Sequence, residues 1–258
     1  MRAEPASAAS PEDPSAFAGR PSLLAHLDAA RRHTIRAAVA VAVGFLVAFA
    51  FISQVAGFIL RPLQRVLPDG DRLIYTQTTD AFVLYLKIAA LAGAVLASPY
   101  LLWQVWQLST PVLSRRVRRQ AFAFVGCSTI LFAAGALYGH YVVFPWIWGF
   151  LASFATDYMR FAPEIAAAFS IYVKVVVALG VAFEMPVVVF FLARFGILSH
   201  RTLIDYGRHA VLVAFVIGAV VTPPDVVSQV LLAAPLLALY ALAIGIAWLF
   251  GRGPAREG

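Results

Sequence analysis

The chain has 258 residues, of which 62% are apolar or aromatic and only 13% are charged, and its mean hydropathy is +0.83. So few charges could not coat a soluble globule, and one core of this size could not bury so much apolar surface. Composition therefore excludes a soluble enzyme, a disordered chain and a disulfide scaffold, and it indicates an all-α, multi-pass membrane protein. The net charge of +7 fits basic residues in cytoplasmic loops better than nucleic-acid binding.

The two ends of the chain are predicted to lie outside the membrane domain. Residues 1–22 are rich in Ala, Pro and Ser, which is typical of a disordered cytoplasmic tail. They do not fit a secretory signal, because the first apolar stretch begins near Ala37 and is too long for one. The transmembrane domain is predicted over residues 23–250, with a second cytoplasmic tail at residues 251–258.

Six apolar runs are each interpreted as a transmembrane helix. They cover residues 37–60, 88–113, 121–156, 165–193, 209–224 and 226–251. The third run is longer than one span needs, so it is expected to include part of an exterior loop. The fifth helix, from about Arg208 to Val221, would rise only about 20 Å, against a hydrocarbon core of roughly 30 Å. The segment Thr222-Pro223-Pro224-Asp225 predicts a tight turn into the sixth helix.

Arginines are concentrated on one side of these six helices, and this asymmetry predicts the orientation. That side carries Arg31, Arg32 and Arg36, the loop Ser114-Arg115-Arg116-Val117-Arg118-Arg119 and the basic residues near Arg201. The opposite side has fewer arginines, and its aspartates and glutamates partly offset them. Both termini are therefore predicted to be cytoplasmic.

One carboxylate, Glu184, lies near the middle of the fourth apolar run, about 15 Å before Arg194. A carboxylate at that depth must face protein, water or a partner, or be protonated. A docking or conducting site is favoured over a merely satisfied polar group. Pro186 removes one helical donor beside it, which predicts a kink.

The remaining polar residues in the apolar runs have more ordinary interpretations. Lys87 and Lys174 lie near the exterior ends of their helices, where snorkelling to the headgroups explains them. Thr222 and Gln229 flank the tight turn, and contact with a partner helix and internal hydrogen bonding are equally compatible with their positions. The single cysteine, Cys127, is interpreted as a buried packing residue, and the tryptophans as interfacial anchors.

The sequence contains no pattern typical of catalysis or metal binding. Its five histidines show no metal-ligand spacing, and it contains neither a nucleophile elbow nor a phosphate-binding loop. We therefore expect no enzyme activity, no cofactor and no metal.

Several segments together resemble one protein family. They are His26-Leu27 with Arg31-Arg32, the stretch Ser98-Pro99-Tyr100-Leu101-Leu102-Trp103-Gln104-Val105-Trp106, Phe183-Glu184-Met185-Pro186, Thr222-Pro223-Pro224-Asp225 and Ser228-Gln229. With six spans, this pattern resembles TatC, the multi-pass subunit of the twin-arginine protein translocase. The resemblance implies a concave, glove-like six-helix scaffold in the cytoplasmic membrane. It also implies recruitment of folded proteins through twin-arginine signal peptides, single-span TatA- and TatB-type partners in an oligomer, contact with membrane lipid, and export driven by the proton-motive force.

The resemblance also assigns roles to individual residues. Glu184 would face the concave side, Thr222 and Gln229 would meet a partner's transmembrane helix, and Pro62 would belong to an exterior cap. In the signal-peptide site, Arg31 matches the family's N-terminal motif. That motif usually carries a glutamate where this chain has Ala29.

The signal-peptide site of this chain departs from the family pattern at both of its glutamates. Val117 replaces the second one, in a loop with four arginines and no acid. Signal arginines prefer carboxylates, so recognition is expected to be altered. Asp28 is the alternative carboxylate, although on a helix it points about 100° away from Ala29.

Two other functions are alternatives to the export scaffold. A proton- or ion-coupled solute carrier would use Glu184, but such carriers usually have more spans or paired broken helices. An intramembrane hydrolase would need a Ser/His or metal-ligand arrangement at one depth, which the sequence lacks.

Overall fold

The computed structural model describes residues 23–65, 74, 79–109, 121–156, 158 and 162–251, and for residues 23–30, 108, 109 and 121 it describes the backbone alone. Val117 and most of both predicted tails therefore lie outside the described residues. The helices, in chain order, are α1 (Leu23–Ala50), α2 (Ile52–Arg65), α3 (Asp80–Ser109), α4 (Ala121–Tyr138), a π-helical segment (Gly139–Val143), α5 (Phe144–Ala152), α6 (Ile165–Ala182), α7 (Met185–Arg194), α8 (His200–Asp205), α9 (Gly207–Val221) and α10 (Val226–Phe250).

Five stretches of helix in the described part are long and apolar enough to cross a membrane. They are Arg31–Ala50, Asp80–Gln107, Phe122–Ala152, Ile165–Arg194 and Val226–Phe250. The helix α9 is also apolar but has only 15 residues, a rise of about 22 Å. The all-helical membrane fold and its short fifth apolar helix are confirmed.

Two apolar runs differ from the expectation. The first run divides at a turn at Phe51, so that its second half belongs to the separate helix α2. The third run stays helical to Ala152, so the expected loop portion is confined to its last four residues, 153–156. The π-helical segment Gly139–Val143 joins α4 to α5 without interrupting the backbone helix, so composition alone could not locate either boundary.

Contacts between helix ends define two sides of the bundle. On the N-terminal side, His33 near the start of α1 bonds to Gln104 near the end of α3. On the same side, the Tyr240 hydroxyl of α10 donates to the Leu203 carbonyl of α8. On the far side, the Ile165 amide donates to the Ile74 carbonyl at 2.9 Å and ties two connecting segments together.

Glycines allow two helix pairs to approach closely. A Cβ on Gly44 of α1 would lie 2.4 Å from the Gly93 carbonyl oxygen of α3, so the two backbones touch directly. A Cβ on Gly135 of α4 would lie 2.5 Å from the Leu179 carbonyl oxygen of α6. Dispersion forces hold helices together in lipid, and small residues increase them by permitting contact.

Three expectations about which side chains are buried are wrong. Cys127 is exposed on the surface of α4 rather than buried. Trp106 and Trp148 are buried rather than anchored at the membrane surface. Trp106 stacks on Phe124 with ring centroids 4.3 Å apart and meets Phe191 edge-on. These two tryptophans therefore contribute packing inside the bundle.

Candidate functional site

Glu184 lies where α6 ends and α7 begins, inside one long apolar span. The backbone at Phe183 and Glu184 forms a turn between the two helices, and the Glu184 carbonyl accepts from Val187 and Val188. Pro186, near the start of α7, supplies no amide donor to the preceding turn. The predicted interruption of the helix at the carboxylate is confirmed.

The surroundings of Glu184 leave its carboxyl group with few hydrogen-bonding partners. Both carboxylate oxygens are buried, and neither has a hydrogen bond of regular geometry within the described residues. Ser128 of α4 provides a hydroxyl that interacts with the carboxyl group, but that hydroxyl also lacks a regular bond and is itself fully buried. Buried polar groups normally have partners, so an unsatisfied pair at this depth makes Glu184 a candidate for a functional role. Sequence reasoning missed Ser128, because one serine in an apolar run carries no distinguishing signal.

Thr222 and Gln229 are brought together at the turn between α9 and α10. The Thr222 hydroxyl donates to the Gly218 carbonyl at 2.8 Å, and the Gln229 amide donates to the Phe215 carbonyl at 2.8 Å. The Asp225 carboxylate caps α10 by accepting from the Ser228 amide at 2.6 Å. Both predicted docking residues therefore make internal hydrogen bonds, which was one of the two alternatives left open. Their contact with a partner helix stays a prediction.

We expect the Gln229→Leu variant to lose about 0.6–1.7 kcal/mol of stability, the range for hydrogen bonds between membrane helices. The leucine keeps roughly the same side-chain volume but removes the donor that ties α10 to the Phe215 carbonyl, which keeps only the amide of its own helix. Thermal unfolding in detergent measures the change. The matched control is Gln54→Leu, since Gln54 is exposed on α2. Equal stability of the two variants would contradict a bond between α9 and α10.

Pro62, the predicted cap residue, is buried in α2 beside the fully buried Leu63. Helix α2 packs on α3, α5 and the π-helical segment. Phe58 of α2 stacks on His140 with ring centroids 4.3 Å apart. His140 is in turn hydrogen-bonded to the Tyr172 hydroxyl of α6 at 2.8 Å. This cluster fixes α2 against the bundle. The pairing between His140 and Tyr172 could not be predicted, because the two residues are 32 positions apart on different helical segments.

The predicted signal-peptide residues are only partly described. Arg31 is exposed on α1. Asp28 and Ala29 lie one turn earlier on the same helix, where the backbone alone is described. The bond between His33 and the buried Gln104 holds this part of α1 against α3. The start of α1 is thus bonded to Gln104, which belongs to the stretch of residues 98–106 that carries part of the family resemblance.

The described residues contain no group of three or more His, Cys, Asp or Glu side chains that could hold a metal ion. They also bring Glu184 together with a serine rather than with a histidine or a second carboxylate. This arrangement can receive a hydrogen-bond donor or a cation from a partner.

Comparisons with known proteins agree with this geometry. The family model for the Sec-independent protein translocase protein TatC matches residues 25–235. TatC of Desulforapulum autotrophicum is 34% identical over 227 residues, which cover 88% of this chain and 84% of that protein. TatC of Escherichia coli K12 is 33% identical over 236 residues, covering 91% and 92%.

Solved structures extend the similarity to the fold. A crystal structure of the twin arginine translocase receptor TatC matches with a TM-score of 0.76 and 33% identity, over 88% of this chain and 100% of that one. A second structure of the receptor, in DDM, matches with a TM-score of 0.78 and 31% identity. The chain therefore belongs to the TatC family, the receptor subunits of the twin-arginine translocase, and it is a transport component rather than an enzyme.

Proposed function

We propose that this chain binds twin-arginine signal peptides of folded proteins and assembles with single-span TatA- and TatB-type subunits. The observation that carries the proposal is the Glu184 carboxylate, buried at mid-depth with both oxygens unsatisfied. Natural proteins rarely keep such a group in apolar surroundings without a use for it. Its function would be to receive polar groups of the signal peptide or of a partner helix on the concave face. Family membership favours this role for Glu184 over the coupling of a small solute to protons.

The orientation we propose places the N-terminal side of the bundle in the cytoplasm. Arginines are concentrated in the segments that belong to this side, including Arg31, Arg36, Arg201 and Arg208. The helix α2, with Pro62, would then form the cap on the exterior face. The proposed domain division, with tails at residues 1–22 and 251–258, follows the same topology.

Partner docking is proposed at the outer surface of α9 and the start of α10. Val216, Val220, Val226 and Val230 are exposed there and offer an apolar surface to a neighbouring helix. The short α9 also favours local thinning of the bilayer, which a bound partner would stabilise. Thr222 and Gln229 would supply the polar contact at that seam.

Signal recognition is proposed to differ from the family pattern. The residues that usually carry carboxylates are Ala29 and Val117 here, and the loop around Val117 carries four arginines. An arginine of the signal would meet repulsion rather than a bidentate partner at that loop. Asp28 is the nearest acid in the sequence, one position before Ala29. We infer weak discrimination between arginine and lysine signals.

Binding of a twin-arginine peptide and a twin-lysine peptide to the purified protein in detergent tests this proposal. We expect the two dissociation constants to differ by less than about tenfold, the effect of one lost charge-assisted bond. A strong arginine preference that Asp28→Ala abolishes would contradict altered recognition and would assign the role to Asp28. Failure to bind either peptide would contradict the receptor function of the isolated chain.

A further inference from the structure

A groove on the far side of the bundle holds both lysines of the chain. Of the 20 Lys and Arg residues, only Lys87 and Lys174 are lysines. They lie on different helices, α3 and α6, yet both line one open groove of about 340 Å³. Ser170 adds a hydroxyl to the lining. We propose that this groove binds the phosphate group of an anionic phospholipid from the surrounding leaflet.

The charge of the groove supports an anionic ligand. None of its lining residues is acidic, so the only ionisable side chains that line the groove are the two lysines. The described acids at the starts of these helices are Asp80 and Glu164, about 10 Å and 15 Å along the helix from Lys87 and Lys174. Two ammonium groups that share one groove repel each other, and an anion between them turns repulsion into attraction.

The depth and the walls of the groove favour a lipid over a free anion. Lys87 and Lys174 lie about 10 Å and 14 Å along their helices from the far-side ends, near the boundary of the hydrocarbon layer. The walls between them are apolar and include Leu91, Phe169 and Val173. A phospholipid matches both features, because its phosphate meets the lysines and its acyl chains cover the walls. Basic pockets between membrane helices bind lipid headgroups in this way.

Snorkelling alone makes a different prediction from a shared site. Two lysines that reach the headgroups separately would be independent of each other. If two lysines hold one phosphate, binding of that phosphate depends on both of them. Removal of one lysine would then weaken the protection of the other from chemical modification. Because the chain has no other lysine, an amine-reactive reagent reports on these two positions and the N-terminus.

The experiment places the full chain in nanodiscs of phosphatidylcholine, alone or mixed equally with phosphatidylglycerol. Acetylation rates of Lys87 and Lys174 are read by peptide mass spectrometry. We expect both rates to be about fivefold lower or more in the phosphatidylglycerol discs. In the Lys87→Gln variant, Lys174 should lose that protection. Arg61→Lys adds an exposed lysine on the far side outside the groove, and its rate reports the general effect of surface charge.

Three outcomes would overturn the proposal. The first is equal acetylation rates in the two lipid mixtures, after correction by the Arg61→Lys control. This result would show that the groove does not bind anionic lipid, and it would indicate an acidic side chain of a protein partner as the ligand instead. Unchanged protection of Lys174 in the Lys87→Gln variant would show independent snorkelling. Inorganic phosphate that protects both lysines equally well in phosphatidylcholine discs would show a free-anion site instead of a lipid site.

Discussion

The Gly135→Ala variant is expected to lose about 1–3 kcal/mol of stability, the usual effect of overpacking a tight contact. The new methyl group would lie 2.5 Å from the Leu179 carbonyl oxygen and under 3.0 Å from the Phe183 side chain. The first of these is backbone and cannot rotate away, so α4 and α6 must separate. Loss of close contact removes the dispersion energy that holds the pair together in lipid.

Thermal unfolding in detergent, followed by size-exclusion chromatography, measures this loss. The matched control is Gly126→Ala on the same helix, where an added Cβ meets nothing within 4 Å. That control is expected to keep or slightly raise stability, because alanine favours the helical backbone. Similar losses in both variants would mean that α4 and α6 do not depend on close approach.

The Glu184→Leu variant should become more stable and at the same time lose export. Its leucine removes two buried oxygens that have no regular hydrogen bond, and relief of unsatisfied groups is worth about 1–3 kcal/mol. Export should nevertheless fall more than about tenfold, since the variant loses the polar group that a signal peptide or partner would meet. Opposite changes in stability and function distinguish a binding group from a structural one.

Two measurements on the same variant decide the matter. Unfolding in detergent gives the stability, and export of a twin-arginine reporter in cells lacking their own TatC gives the function. Glu184→Gln is the companion variant, because it replaces the ionisable carboxyl group by an amide that can still form hydrogen bonds. A loss of both stability and export in Glu184→Leu would indicate that the carboxylate supports the fold, and would argue against the proposed binding role.

Hydropathy predicted the number of apolar helices and the short α9, because lipid requires long uninterrupted apolar segments and tolerates few exceptions. It could not predict the turn at Phe51, since neither a charge nor a proline interrupts the run from residue 37 to residue 60. Hydropathy also could not predict which face of each helix points into the bundle. A helix that is apolar all round gives no periodic signal, which is why Cys127, Trp106 and Trp148 were assigned to the wrong surroundings.

The candidate site was predictable where a polar residue interrupts an apolar run. Glu184 is the clear case, and its proline neighbour predicted the break between α6 and α7. Its contact with Ser128 joins two helices far apart in the sequence, and many hydroxyl groups in the apolar runs would have been equally good candidates. The internal bonds of Thr222 and Gln229 depend on the angle between α9 and α10, which no local pattern specifies.

The close pairing of α1 with α3 through Gly44 and Gly93 bears on how the protein is made. Within its described side chains, α1 is buried only at Gly44 and Ala48, and its main neighbour is α3. Residue 109 completes this hairpin, long before Glu184 has been synthesised. Each of its helices satisfies its own backbone hydrogen bonds, as lipid requires. The pair of α1 and α3 can therefore assemble in the membrane while the ribosome is still translating. The later helices then pack against a helix pair that has already formed.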